Sequence, residues 1–212
     1  RSRQPTAFVG IAEHTERGPP LSLGVDMSVE SPEYEVLKDE GSFELRRYAG
    51  YLTANVRVTA ADWGRAMNSG FNPLADYIFG NNHASDRISM TAPVTAGRAC
   101  CQKIAMTAPV TAQQAEDEYV VSFTMPSGYS MDDLPRPNNA AVSIESVDSH
   151  LAAVAKFGGY FSEAKADRAK SELQSWITDQ GLKAVGEPLV AQYDPPWKPG
   201  FARLNEIMIV VE

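Results

Sequence analysis

The clearest hydrophobic pattern in the chain lies in residues 52–58, where apolar and polar positions alternate. Every second residue is apolar, and the residues between them are Thr53, Asn55 and Arg57. A period of two predicts a β-strand with one buried face and one solvent-exposed face. Shorter apolar runs bounded by turn residues predict further strands. These are residues 34–37, 43–48, 104–106, 119–125, 141–146, 150–157, 189–193 and 206–211.

A helical pattern follows the alternating strand. Trp63, Met67, Phe71, Leu74 and Ile78 recur at intervals of three or four residues, the spacing of one helix face. An asparagine followed by a proline at positions 72–73 also fits an N-cap and a first helical residue. The segment is therefore predicted to be one helix or two short ones, ended by the glycine at position 80.

A second helix is predicted from Ser162 to Gly181. The serine hydroxyl can cap the first free amides, and the glycine is a typical residue at a helix end. Apolar residues at positions 166, 169, 173, 176 and 177 form one stripe, and charged residues occupy the opposite face. This pattern predicts a helix that lies with one side on a sheet.

The order of predicted elements is strands, helix, strands, and then the same order again. It predicts an α+β fold in which duplicated βαββ units form a curved, mostly antiparallel sheet or a distorted barrel, with two helices packed on it. Residues 1–32 lack a periodic pattern and are predicted to be an irregular extension. The domain would span residues 33–212, with repeats at about 33–126 and 127–212.

Composition narrows the possible partners. A net charge of -8 over 212 residues, with scattered lysines and arginines, argues against nucleic acid. No run approaches the roughly 20 apolar residues that span a bilayer, so a soluble or at most peripheral protein is expected.

The only two cysteines, Cys100 and Cys101, are neighbours, and neighbouring cysteines rarely form a disulfide. A reducing, intracellular setting is therefore expected.

The most specific motif is a near-exact repeat. The sequence Ile88-Ser-Met-Thr-Ala-Pro-Val-Thr-Ala96 returns sixteen residues later as Ile104-Ala-Met-Thr-Ala-Pro-Val-Thr-Ala112. In one interpretation, one copy is a core strand and the other is an inserted loop. In the other, Met90 or Met106 binds an iron, although methionine more often fills gaps in a core.

The second copy of this motif carries a family resemblance. Lys103-Ile-Ala-Met-Thr-Ala-Pro-Val110 resembles the hallmark of the SOUL or haem-binding-protein family. The likeness continues in family order over residues 33–212, through residues 34–37, 43–48, 74–80, 121–126, 157–160, 193–199 and 205–206. The resemblance implies a fold similar to bacterial multidrug-binding regulators of the gyrase-inhibitor type. It also implies a haem or related tetrapyrrole ligand, bound non-covalently.

The resemblance also implies a site. An apolar surface beside the first helix would hold the macrocycle, and its residues would be Met67, Phe71, Leu74, Tyr77 and Ile78. Lys198, assisted by Arg203, would meet a propionate. The alternative for the apolar residues is that they simply face the sheet, and the alternative for Lys198 is a solvated side chain.

Two features depart from the family. Arg47 occupies the position where histidine-bearing members carry a candidate axial ligand, and the basic positions of the first helix fall on Asn68 and Asp76. His83, in a polar loop, is the remaining candidate iron ligand. His150 and His14 have weaker claims.

Three functions stay open. A tetrapyrrole carrier or buffer without catalysis is favoured, because no nucleophile elbow, phosphate loop or spaced cysteine cluster is present in the sequence. The second is an enzyme that processes tetrapyrroles. The third is a non-enzymatic adaptor that keeps the fold and contacts a protein partner through residues 1–30. A plastid is favoured over the cytosol as the compartment.

Overall fold

A computed structural model of the chain describes residues 30–83, 101–115, 118–194 and 197–212. Eleven strands and two long helices form within these ranges. The helices are α1 (Trp63–Ile78) and α2 (Glu163–Asp179), and a short 3-10 helix spans Gly200–Ala202. The strands are β1 (Tyr34–Glu40), β2 (Phe43–Tyr48), β3 (Tyr51–Val58), β4 (Asn82–His83), β5 (Val110–Ala115), β6 (Glu118–Thr124), β7 (Arg136–Pro137), β8 (Val142–Val147), β9 (His150–Gly158), β10 (Ala184–Gln192) and β11 (Leu204–Val211).

Nine of these strands form one large sheet in the order β1-β2-β9-β11-β10-β5-β6-β3-β8. Every neighbouring pair in it is antiparallel. β4 and β7 pair separately. The predicted α+β class is confirmed, and of its two forms the open sheet is the correct one, because β1 and β8 remain edges and no barrel closes.

The strand order combines two similar units. Apart from the two-residue β4 and the short 3-10 helix, the run β3-α1-β5-β6 and the run β9-α2-β10-β11 have the same element order. β5 and β10 join the two runs at the centre of the sheet. The strand that precedes each run pairs with the other unit, β2 with β9 and β8 with β3. The repeat boundaries and the separate extension stay predictions, and most of residues 1–32 lies outside the described ranges.

Both helices lie on the same side of the sheet. Val190 stands opposite Ala112 in one unit and Ile207 in the other, so the apolar side is continuous across the centre. We call this side the helix-covered face. α1 packs there against buried residues including Val121, and α2 packs against buried residues including Ile209. The opposite side, which includes Ser122 and Met208, is called the open face.

α1 is a single helix that continues through Pro73, so the alternative of two short helices is wrong. Asp62 caps its start, with Oδ1 accepting a hydrogen bond from the Arg65 amide at 2.8 Å. Gly70 allows the helix to approach β6, because a methyl group there would lie 2.5 Å from Val121 Cγ2. α2 begins after Ser162 as predicted, and the serine accepts from the Lys165 amide.

The predicted strand at residues 104–106 is wrong, because this segment has no ladder partner. The Ile104 amide instead donates to the carbonyl of Ile78 at 2.8 Å, where the end of α1 leaves carbonyls free. Ile104 is buried in the core, and Met106 is 45% exposed. Met90 and the first copy of the motif lie outside the described residues.

Two further expectations concern the cysteines and the membrane. Cys101 is disulfide-bonded, so the expectation that the neighbouring cysteines stay reduced is wrong, and the argument for a reducing compartment loses its support. In the described part of the chain, neither helix combines the length and apolar character that crossing a bilayer requires.

Candidate functional site

A cleft of about 440 Å³ lies on the open face. Both repeats contribute to it, because its lining includes Asn55 of β3, Ser122 of β6, Leu189 of β10 and Met208 of β11. Its volume is within the range of about 300–1,000 Å³ that is typical of small-molecule sites. We refer to this space as the open-face cleft.

One wall of the cleft is aromatic and consists of Tyr34, Tyr48, Tyr51 and His150. Tyr48 is at the centre: its ring centroid lies 5.2 Å from that of Tyr34 and 5.3 Å from that of His150, which it stacks at 17°. Tyr51 lies 6.4 Å from Tyr48 and 6.1 Å from His150. The sheet register explains the cluster, because Tyr34 and His150 both stand directly opposite Tyr48. We call these four residues the aromatic wall.

Burial keeps the phenols near the cleft neutral. It raises the pKa of Tyr48 and Tyr51 above the ordinary range. It also raises the pKa of Tyr193, with a further contribution from the nearby Glu206 carboxylate. Tyr48 and Tyr51 therefore give the aromatic wall neutral rings that carry hydroxyl groups.

The imidazole of His150 is held in one orientation. Its Nδ1 lies 2.8 Å from the carbonyl oxygen of Asp148. A carbonyl only accepts hydrogen bonds, so in the neutral ring Nδ1 carries the proton and Nε2 keeps the lone pair. His150 thus brings a potential ligand atom to the lining of the cleft.

Buried charges lie behind the aromatic wall. Arg46 Nη2 is 2.8 Å from Glu206 Oε1, Arg46 Nε is 2.6 Å from Glu44 Oε2, and Lys156 also pairs with Glu44. The Arg46 and Glu206 side chains are each 2% exposed. Burial alone would lower the pKa of Arg46, but hydrogen bonding to Glu206 raises it, so the charge is kept.

This ionic network positions the cleft lining. Arg46 Nη1 donates to the Tyr48 hydroxyl at 3.0 Å, and the guanidinium lies 4.3 Å from the centre of the Tyr34 ring. The Tyr193 hydroxyl donates to Glu206 at 2.5 Å. Three tyrosines of the cleft therefore contact the same buried ion pairs, which fixes their side-chain directions.

Among the described residues that line the cleft, the ionisable groups other than phenols are one histidine and three acids, Glu145, Asp148 and Glu187. The remaining polar lining is hydroxyl or amide, as at Thr53, Asn55, Thr111, Gln113 and Ser122. These three acids would repel the carboxylates of a ligand, and no lysine or arginine is part of this lining. Such carboxylates would have to point to the neutral donors or to solvent.

The structure divides the apolar surface that was predicted beside the first helix. Leu74, Tyr77 and Ile78 are at most 1% exposed and belong to the core under α1. The Tyr77 hydroxyl donates to the Pro135 carbonyl at 2.9 Å, and burial raises its pKa to about 12. Their expected exposure is therefore wrong, because the single apolar stripe of α1 is used to cover the sheet.

The other two residues of that surface are more accessible. Met67 is half-buried beside the same core cluster. Phe71 is 37% exposed, and its ring lies 5.3 Å from that of Phe123. The contact of Met67 and Phe71 with a ligand stays a prediction.

Lys198 and Arg203 come together in the connection between β10 and β11. Arg203 Nε donates to the Lys198 carbonyl at 2.7 Å, and Lys198 pairs with the Asp194 carboxylate. The Arg203 guanidinium lies 4.6 Å from the centre of the Tyr160 ring. Neither basic residue lines the open-face cleft. Their contact with a propionate stays a prediction.

The other candidate positions are separate from the cleft. His83 is exposed on β4, opposite Arg136. Arg47 is exposed and pairs with Glu35 at 2.8 Å. Within the described ranges, no group of three or more His, Cys, Asp or Glu side chains is arranged to hold a metal ion.

Sequence reasoning missed the open-face cleft. It assigned Thr53 and Asn55 to a wet face, yet these side chains are only 8% and 6% exposed. It also gave little weight to His150. A usable signal was present, since Tyr48 and His150 each lie next to a strand-to-strand turn, but their proximity depends on pairing between distant strands.

Comparison with known proteins identifies the family and the fold. The family model described as SOUL heme-binding protein matches residues 29–210. Heme-binding protein 2 of Mus musculus is 27% identical over 215 residues, covering 99% of this chain and 95% of its own. Heme-binding protein 2 of Homo sapiens is 30% identical over 189 residues, covering 86% of each chain. The crystal structure of the EcmrR C-terminal domain has the same fold, with a TM-score of 0.58 at 13% identity, covering 84% of this chain and 98% of that domain.

Proposed function

Because the chain belongs to the SOUL haem-binding protein family, we propose that it binds a haem or related tetrapyrrole non-covalently in the open-face cleft, as a carrier or buffer. The aromatic wall beside a cleft of about 440 Å³ is the observation that carries this proposal. A planar pigment would lie against Tyr34 and Tyr51 and lose water from one face. Burial of apolar surface contributes about 25 cal/mol per Å² before ordering costs.

Part of the cleft lining suits such a ligand, and its three acids would keep the propionates away from them. The aromatic wall suits a flat macrocycle, because aromatic rings favour offset or edge-to-face contacts with other rings. Neutral donors such as Thr111 and Gln113 suit the polar edge, and the propionates would point to these groups or to solvent. When bound, haem would supply an iron that can accept a ligand and a visible absorption spectrum.

A carrier needs only to bind, orient and release its ligand. The cleft is built on strands, which hold side chains more precisely than loops do. The ionic network holds Tyr34, Tyr48 and Tyr193 before a ligand arrives, and preorganisation lowers the ordering cost of binding. We propose no reaction for the chain, and tetrapyrrole processing stays an alternative.

The test is a titration of the purified protein with haemin, in which binding is measured from the absorption of the pigment. Tyr34→Ala and Tyr51→Ala are each expected to weaken binding by up to about tenfold, since an aromatic contact contributes about 0.5–1.5 kcal/mol. Phe71→Ala and Lys198→Ala serve as matched controls at the site beside the first helix. Loss of binding in these controls instead would move the site there. No saturable change with the wild-type chain would end the proposal.

A second candidate function rests on the surface near Lys198. Trp197 and Phe201 are 83% and 93% exposed, and large exposed aromatic groups are typical of contact sites. They support the alternative of an adaptor with a protein partner. A contact through residues 1–30 and a plastid location stay predictions. The adaptor function predicts a co-purifying protein that is lost in Trp197→Ser with Phe201→Ser, while haemin binding is absent.

A further inference from the structure

We propose that the open-face cleft is also a binding site for a planar organic cation that carries amino groups. This inference goes beyond the proposed function, because it concerns a second class of ligand, whose charge is opposite to that of the haem propionates. Three features of the cleft lining support it: unpaired polar side chains on the sheet, acids without a basic partner, and the aromatic wall.

The first feature is a row of polar side chains from neighbouring strands. Asn55 of β3 stands opposite Ser122 of β6, and Ser122 stands opposite Thr111 of β5. The three residues are 6%, 8% and 9% exposed, and all of them line the cleft. We call them the polar row.

The polar row has unused hydrogen-bonding capacity. Among the described residues, none of its three side chains forms a hydrogen bond with another group of the chain. No fully enclosed side-chain nitrogen or oxygen in the same part of the chain lacks a partner, so the polar atoms of the row are the parts that reach the cleft. The Asn55 amide alone has two N–H donors and an oxygen with two lone pairs. These groups are therefore available to the polar atoms of a ligand.

The acids of the cleft select the charge of that ligand. Glu145 lies on β8, Asp148 lies in the connection to β9, and Glu187 lies on β10. All three are exposed, and within the described ranges none of them forms an ion pair. Because the described lining includes no lysine or arginine, their negative charge is not neutralised inside the cleft. A cation would be attracted to the cleft, and an anion would be repelled.

The aromatic wall suits a cation with a flat body. The Arg46 guanidinium lies 4.3 Å from the centre of the Tyr34 ring, so the wall already contacts one planar cation of the protein itself. Tyr34 is 44% exposed and Tyr51 is half-buried, so both rings are accessible from the cleft. The electron-rich faces of such rings attract cations. A flat body on the wall would leave amino groups of the ligand to bond with the polar row.

The experiment uses fluorescent probes that share one ring system and differ in charge or in amino groups. Acriflavinium is a planar cation with two amino groups, N-methylacridinium is a cation without them, and acridine carboxylate is an anion. In a fluorescence titration of the full chain at neutral pH, acriflavinium is expected to bind at least about tenfold more tightly than acridine carboxylate. Its affinity should fall as salt is added, because the acids are exposed and salt screens their charge.

The first variant removes the three charges of the cleft and keeps the side-chain shapes. It is expected to bind the cation and the anion with similar affinity. The control variant removes three exposed acids of α2, so its net charge changes by the same amount, and it should keep the wild-type preference. The cleft variant combines Glu145→Gln, Asp148→Asn and Glu187→Gln, and the control combines Asp167→Asn, Glu172→Gln and Asp179→Asn.

The second variant, Asn55→Leu, tests the polar row. It should weaken acriflavinium binding by up to about tenfold, the effect of a lost hydrogen bond, and leave N-methylacridinium binding unchanged. Ser122→Ala is a smaller change with the same expected direction. Circular dichroism checks that every variant is folded.

Equal binding of acriflavinium and acridine carboxylate by the wild type would overturn the inference, as would an unchanged preference in the folded cleft variant. A parallel haemin titration separates this inference from the proposed function. Saturable binding of acriflavinium without binding of haemin would support the inference and end the proposed function. Binding of haemin without binding of acriflavinium would overturn the inference and leave the proposed function standing.

Discussion

The two faces of the large sheet are built from alternate residues of the same strands, yet different interactions stabilise them. The helix-covered face is apolar: Val121 of β6 and Leu173 of α2, for example, are fully buried between the sheet and the helices. The open face buries charge, because Arg46 and Glu206 are each 2% exposed and pair with one another. The open face has a polar sequence pattern. Where the ionic network lies, its side chains are nevertheless as deeply buried as those of the helix-covered face.

The two faces therefore differ in how they respond to substitution. Hydrophobic burial is non-directional, so the helix-covered face tolerates changes that preserve volume. A buried ion pair is directional, and the remaining partner is left uncompensated when one member is removed. The ionic network holds Tyr34 and Tyr48, so the open face has rigid side chains without a helix above them.

The largest effect is expected on the open face, from Arg46→Met. It leaves two buried carboxylates, Glu44 and Glu206, without their shared partner, which should lower the free energy of unfolding by about 3–5 kcal/mol. Arg47→Met is the matched control, because Arg47 forms only an exposed pair with Glu35 and should cost about 0–1 kcal/mol. Urea unfolding monitored by circular dichroism measures both. Equal losses in the two variants would contradict the contrast between the faces.

The next effect is expected on the helix-covered face, from Leu74→Ala. Leu74 is fully buried, so the cavity and the lost burial should cost about 2–5 kcal/mol in a thermal or urea melt. Leu204→Ala, at a position that is 37% exposed, is the control and should cost much less. Folded Leu74→Ala should retain haemin binding. A stable variant that loses haemin binding would instead assign Leu74 to the ligand site.

A smaller effect is expected where α1 approaches the sheet. Gly70→Ala would place a methyl group 2.5 Å from Val121 Cγ2, and a buried valine has little freedom to move, so a loss of about 1–3 kcal/mol is expected. Gly64→Ala in the same helix has its nearest neighbouring atom at 3.5 Å and should be neutral or stabilising by up to about 1 kcal/mol. Differential scanning calorimetry distinguishes the two. A Gly70→Ala variant as stable as wild type would show that the helix can shift.

The smallest effect is a dependence on pH. Burial would raise the pKa of Glu44, but hydrogen bonds from Lys156 and Arg46 hold it below the ordinary 4.5. A carboxyl group whose pKa is lower in the folded state stabilises the fold above pH 4.5, and this contribution is lost as the pH falls through the folded pKa. The free energy of unfolding should therefore fall less steeply below pH 4.5 in Glu44→Gln than in wild type. Identical slopes in the two proteins would show that ionisation of Glu44 does not stabilise the fold.

Local sequence signals predicted the elements that depend on local physics. Ser162 caps α2 because its oxygen reaches amides in the next turn, and the alternation of residues 52–58 became β3. The segment at residues 104–106 failed, because the amide of Ile104 bonds to the end of α1 instead of a strand. The surface expected beside the first helix failed at Leu74, because an amphipathic stripe reveals an apolar face without revealing what covers it.

The sequence by itself determined the repeated order of elements, the family and the alternation that separates the two faces. Only the tertiary structure decided that the polar face encloses a cleft, because the members of its wall are distant in the chain. Arg46 and Glu206 are 160 residues apart, and Tyr48 meets His150 only through the pairing of β2 with a strand of the other repeat. Alternation records which residues share a face, whereas the curvature and order of strands decide which of them enclose a space.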